Sequence, residues 1–91
     1  MPHAQRIEVL LHTDLRTALR DLTPTLGLFE PHEDGVLLRG GAETLEWFAR
    51  QLARASFDFE VLTPPALRDE VRTCAKRLVA AADRGRGDGG P

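Results

Sequence analysis

The chain has no asparagine and no tyrosine, and it carries one serine (Ser56), one cysteine (Cys74), one lysine (Lys76) and one tryptophan (Trp47). Each shortage removes a class of chemistry. A lone cysteine excludes an intrachain disulfide and a cysteine-rich metal site, and fits a reducing, cytoplasmic setting. The missing Asn and Tyr, with a single Ser, thin the stock of nucleophiles and orienting groups from which active sites are assembled. No apolar run approaches the ~20 residues needed to span a bilayer, and the start Met-Pro-His-Ala-Gln-Arg lacks a signal core, so no membrane partner is expected. Charge of one sign is also lacking. With 12 basic and 14 acidic residues the formal net charge is -2, so electrostatic binding must come from local patches.

What is present is enough for one small domain: 91 residues, 42% of them hydrophobic, support a single core. Ile7, Val9 and Leu11 alternate with Glu8, Leu10 and His12, a period of two that predicts a half-buried strand from Arg6 to His12. Thr13-Asp14 supplies a capping oxygen, and Leu15, Ala18, Leu19 and Leu22 recur at helical spacing until Pro24. Gly27 to Glu30 predicts a second strand, placed at a sheet edge because Pro31 cannot donate to a ladder. Asp34-Gly35 predicts a turn, Val36 to Arg39 the returning strand of a hairpin, and Gly40-Gly41 its break. Leu45, Phe48, Ala49, Leu52 and Ala53 then form the stripe of a second helix. Phe57, Phe59 and Val61 predict a last strand, Thr63-Pro64-Pro65 stops it, and Leu67, Val71, Cys74, Ala75 and Leu78 mark a third helix.

The order β-α-β-β-α-β plus a C-terminal helix predicts an α+β fold of the ferredoxin-like type: an antiparallel sheet with the helices on one face. Its two central strands are expected to run parallel. This architecture hosts many functions and selects none.

Three segments carry a resemblance: Glu30-Pro-His-Glu-Asp-Gly-Val-Leu-Leu-Arg, Glu43-Thr-Leu-Glu-Trp-Phe-Ala-Arg-Gln-Leu, and Phe57-Asp-Phe-Glu-Val-Leu-Thr-Pro-Pro-Ala-Leu-Arg-Asp-Glu-Val. In this order they resemble the C-terminal extension (WCX) domain of bacterial WYL-domain transcriptional regulators. Those regulators place a DNA-binding winged helix-turn-helix first, a ligand-sensing WYL domain second and this extension last. The resemblance implies a non-enzymatic module that supports dimerisation and assists effector sensing. It also implies partners: a second copy in a homodimer, the WYL and helix-turn-helix domains of the same or a partner chain, and a nucleic-acid or small-molecule effector at the parent protein. Neither companion domain lies in these 91 residues, so the expectation is an excised domain or a stand-alone relative. The WYL domain's effector residues do not carry over. Residues 5–82 are expected to form the WCX-type domain and residues 83–91 a disordered Gly-rich tail.

Searched for chemistry, the sequence offers little. His3, His12 and His32 match no metal-site spacing. Cys74 falls on an apolar stripe with no base in view. No cofactor is expected. Trp47 lies about 100° around its helix from Phe48, which leaves two readings: packing beneath the third helix, or an interface anchor. Basic residues recur four apart at Arg16 and Arg20, Arg50 and Arg54, and Arg68, Arg72 and Lys76. Such like-charge spacing costs ~0.2–0.5 kcal/mol per pair in isolated helices, and is met either by nearby acids or by an acidic partner. Glu8, Leu10, His12, Arg39, Asp58, Glu60 and Leu62 are expected to share the sheet face away from the helices. The candidate interface or ligand surface is therefore Leu10, His12, Arg39, Trp47, Arg68, Arg72 and Lys76. The alternative function is a stand-alone small-ligand-binding regulatory domain using that open face.

Overall fold

In the computed structural model, which describes residues 5–85, four strands and three helices follow the expected order. They are β1 (Gln5–Leu11), α1 (Leu15–Asp21), β2 (Leu28–His32), β3 (Gly35–Ala42), α2 (Leu45–Leu52), β4 (Phe59–Thr63) and α3 (Pro65–Asp83), with a 3-10 turn at Pro24–Leu26 before β2. The sheet order is β2-β3-β1-β4. Every neighbouring pair is antiparallel.

This corrects the expectation of parallel central strands, since β1 and β3 pair antiparallel from Gln5↔Ala42 to Leu11↔Val36. The cause is the connection. The β1-α1-β2 crossover returns β2 in the direction of β1, and the tight β2-β3 hairpin then inserts β3 between them, running the other way. The parallel relations therefore hold between non-neighbours, β1 with β2 and β3 with β4.

Register sorts the side chains into two faces. Ile7, Val9 and Leu11 of β1, with Val36, Leu38 and Ala42 of β3, point to one side and are buried. There they meet Ala18, Leu22, Leu26, Phe48, Ala49, Leu52 and Leu67, with Phe29, Phe59, Val61 and Val71 at the margin. Fully burying side chains such as Phe48 or Leu38 contributes roughly 1.5–3 kcal/mol each. The helical stripe of α2 runs from Leu45 to Leu52, with Ala53 left exposed at the helix end, whereas α1 differs. Its seven residues bury only Ala18, and Leu15 and Leu19 stay exposed because one short helix presents a single turn to the core.

Local signals explain most boundaries. The Asp14 side chain caps α1, its Oδ1 accepting from the Thr17 N–H at 2.7 Å. That backbone donor is the main reason the Asp14 carboxyl lies below its ordinary range. Thr44 caps α2 by accepting from the Trp47 N–H at 3.4 Å, and Pro65 opens α3 where no donor is needed.

Two glycine expectations change. Gly40 and Gly41 do not break the strand; β3 runs through both to Ala42. Gly40 is required by proximity, because a Cβ there would lie 2.8 Å from the Leu26 carbonyl oxygen and 3.6 Å from the Phe48 ring. The hairpin turn is also shifted by one: Glu33 and Asp34 form it, and Gly35, paired with His32, begins β3 at φ 139°. The Asp34 N–H donates to His32 Nδ1 at 3.0 Å. The last strand starts at Phe59, two residues later than expected.

Asp83 is the last residue of α3, and the Arg84 and Gly85 N–H groups donate to the carbonyls of Ala80 and Ala82. The rest of the expected tail lies outside the described residues.

Candidate functional site

Three surfaces of the molecule are chemically distinctive. The first is the sheet face away from the helices. Its register sets Glu30, Leu37, Leu10 and Glu60 in one row, and Leu28, Arg39, Glu8 and Thr63 in the next. Arg39 Nε lies 3.4 Å from Glu8 and 3.7 Å from Glu30, while Arg6 reaches Glu8 at 3.5 Å. His12 Nε2 lies 2.7 Å from Glu60 Oε2. Leu10, His12 and Arg39 thus lie on one face, Arg39 beside Glu8 and Glu30, and His12 beside Glu60 at the far end of β1. Leu10 itself is only 7% exposed, the one buried residue on this face. Leu28 and Leu62 are the exposed apolar groups at its two sides, Leu62 being lifted where the β1-β4 register shifts beside Glu8 and Val9.

The second surface is the N-terminal half of α3. Arg68 Nε donates to the Val61 carbonyl at 3.1 Å, and Arg72 pairs with Asp69 at 2.9 Å. Lys76 follows in the same row and is exposed. The basic rows are thus partly answered inside the chain. Arg50 pairs with Glu46 at 2.9 Å, and Arg20 pairs with Asp21 at 3.0 Å. Exposed pairs of this kind are worth about 0–1 kcal/mol each.

The third surface is the junction of α2 and α3. Ala49, Ala53, Phe59, Val71, Cys74, Ala75 and Leu78 line an apolar slot. Beyond Cys74 and Leu78 it opens into a wider cleft bordered by Arg50, Arg77 and Arg84. Arg77 escaped the sequence reading because it lies outside the four-residue rows, and Arg84 because it falls in the expected tail, residues 83–91. Only packing of α3 on α2 places them beside Arg50.

Trp47 stands apart from all three. It is 48% exposed on α2 and meets Phe48 edge-on, with ring centroids 6.4 Å apart and planes at 70°. Half of its surface thus remains in water. An indole left half in water on a short helix is free to meet a partner.

The family comparison bears on all of this. The WCX domain model matches residues 3–79, from before β1 through most of α3. The chain belongs to the WCX domain family. No curated protein and no solved structure matches it. The matched range takes in the open sheet face, Trp47 and the Arg68-Arg72-Lys76 row of this WCX domain, and it stops short of Arg84.

Titration in the WCX domain points to structure. The strongest shift belongs to Asp21, whose carboxyl is lowered to about 2, first by the Ser56 hydroxyl and then by the Ser56 N–H and Arg20. Ser56 donates to Asp21 Oδ2 from its Oγ at 2.5 Å and from its backbone at 2.8 Å. This clasp ties the end of α1 to the segment before β4. The one serine in the chain is thereby occupied, although it is exposed. Among the described residues no group of three His, Cys, Asp or Glu side chains is placed to hold a metal, and no helix is long and apolar enough to cross a membrane.

Proposed function

We propose that this WCX domain is a non-enzymatic regulatory module of a WYL-type transcriptional regulator, acting in the cytoplasm by dimerising and by assisting effector sensing. The observation that carries the proposal is the family match across residues 3–79. The strand order 2-3-1-4 supports reading the sheet as the ferredoxin-like, split-βαβ arrangement, which leaves one sheet face uncovered.

The open face has the composition of a contact surface. Apolar groups at Leu28, Leu37, Leu10 and Leu62 alternate with the charges of Glu30, Arg39, Glu8 and Arg6. A two-fold axis through such a patch can set acid against base on both sides. In the parent regulator the same face would meet the WYL or helix-turn-helix domain of its own or a partner chain, with the nucleic-acid or small-molecule effector bound there. The two perturbed carboxylates are engaged within the fold, Asp14 capping a helix and Asp21 holding Ser56.

Sedimentation velocity tests the reading. The chain is expected to show a mass that rises with concentration, and a Leu28→Glu/Leu62→Glu variant to sediment as a monomer with an unchanged circular dichroism spectrum. A wild-type chain that remains monomeric throughout the accessible range would sink the dimerisation part. A second reading, a free-standing ligand-binding domain, is favoured by Arg39, His12 and Glu60 beside the buried Leu10. It predicts a melting shift with an anionic metabolite that Arg39→Ala abolishes.

A further inference from the structure

The apolar slot and the basic cleft on the α2-α3 face lie outside the proposed sheet-face interface. Helix α3 has 19 residues and α2 has eight, lengths of roughly 28 and 12 Å at 1.5 Å per residue. The first half of α3 is covered: Leu67 is fully buried and Val71 packs against the core. The second half is not. Leu78 is 61% and Val79 60% exposed, in mid-helix, where an unpartnered helix would ordinarily carry polar groups.

We propose that this groove receives an acidic amphipathic helix from a protein partner. Three features select that occupant. First, the floor is built from Ala49, Ala53 and Ala75 around a slot of about 200 Å³. Small side chains at a helix-helix contact let a third helix approach to roughly 8–10 Å, and the slot accepts an apolar side chain from it. Second, the mouth is framed by Arg50, Arg77 and Arg84 with no carboxylate in the lining. Arg50 shares its guanidinium with Glu46, but Arg77 and Arg84 have no acidic partner within salt-bridge distance among the described residues. Third, a second copy of α3 is a poor match. It presents the same face, with Arg77 and Arg84 and no carboxylate beside them, so two basic rims would meet and oppose association. A helix with leucines on one face and glutamates flanking them satisfies floor and rim together.

The probe is a fluorescein-labelled synthetic helix with leucine at its a and d positions and glutamate at e and g. Its control keeps the leucines and carries lysine for glutamate. Fluorescence anisotropy against the full chain is expected to show saturable binding of the acidic helix, weaker in higher salt, and no saturation with the basic one. Leu78→Asp and Arg77→Glu are each expected to weaken the acidic helix about tenfold, the loss of one well-placed contact. Both residues are exposed, so circular dichroism should be unchanged. Arg77→Glu/Arg84→Glu should reverse the preference toward the basic helix.

Equal binding of both peptides, or no binding of either, would overturn the proposal. So would tighter binding of a single-stranded oligothymidine competing for the same site, which would reassign the groove to nucleic acid. Loss of self-association in Leu78→Asp would assign it to a second copy instead. The Leu28→Glu/Leu62→Glu variant, on the other face, should bind the acidic helix unchanged, which separates failure here from failure of the sheet-face reading.

Discussion

The two faces of the sheet are built from alternate residues of the same strands and do different work. On β1, Ile7, Val9 and Leu11 are completely buried, while their neighbours Arg6 and Glu8 form ion pairs at the surface. On β3, Val36 and Leu38 enter the core while Arg39 bridges Glu8 and Glu30. The covered face holds the fold together through area removed from water. The open face contributes little to stability, because pairs in water roughly repay their own ordering. It can therefore vary for recognition without unfolding the domain.

The sharpest way to break this contrast is to empty the covered face. Phe48→Ala removes a fully buried ring and is expected to cost about 3–5 kcal/mol, read as a lower midpoint in urea denaturation. Next is Gly35→Ala. The backbone there adopts φ 139°, and a Cβ would collide with the Leu11 carbonyl oxygen, so a loss of about 1–3 kcal/mol is expected.

A smaller, pH-dependent effect should come from the Asp21-Ser56 clasp. The folded carboxyl is lowered to about 2 from an ordinary 3.8, so its stabilisation is present above pH 3.8 and is lost as pH falls toward 2. Thermal melts of Asp21→Asn should lie below wild type at neutral pH and converge with it in that acidic window. Persistence of the full difference at pH 2 would refute the clasp. The smallest effect belongs to the open face: Arg39→Ala should change stability by under about 1 kcal/mol yet reduce self-association. A melting loss as large as that of Phe48→Ala would erase the distinction between the faces.

How much of this was legible in the sequence follows from the range of each interaction. The period-two pattern of Ile7, Val9 and Leu11, the cap at Asp14 and the Leu45-to-Leu52 stripe are local, and each appears where expected. Strand direction is not local, and the central pair was misjudged because it depends on how the hairpin inserts. Gly40 looked like a breaker because a clash with the Leu26 carbonyl of the 3-10 turn leaves no mark in neighbouring residues. The candidate surface divides the same way. Leu10, His12 and Arg39 share a face because they alternate on paired strands, whereas Arg50, Arg77 and Arg84 border one cleft only through the packing of one helix on another.

The hydrogen bond from Arg68 to the Val61 carbonyl bears on how copies of this domain can assemble. Val61 lies on the outer strand at one side of the sheet, and Pro31, which has no N–H, lies on the outer strand at the other. A newcomer strand would find an acceptor already engaged on one margin and a donor missing on the other. Lateral growth into a continuous ribbon is obstructed at both ends. Crowding this protein should therefore yield closed complexes of fixed size in preference to fibrils.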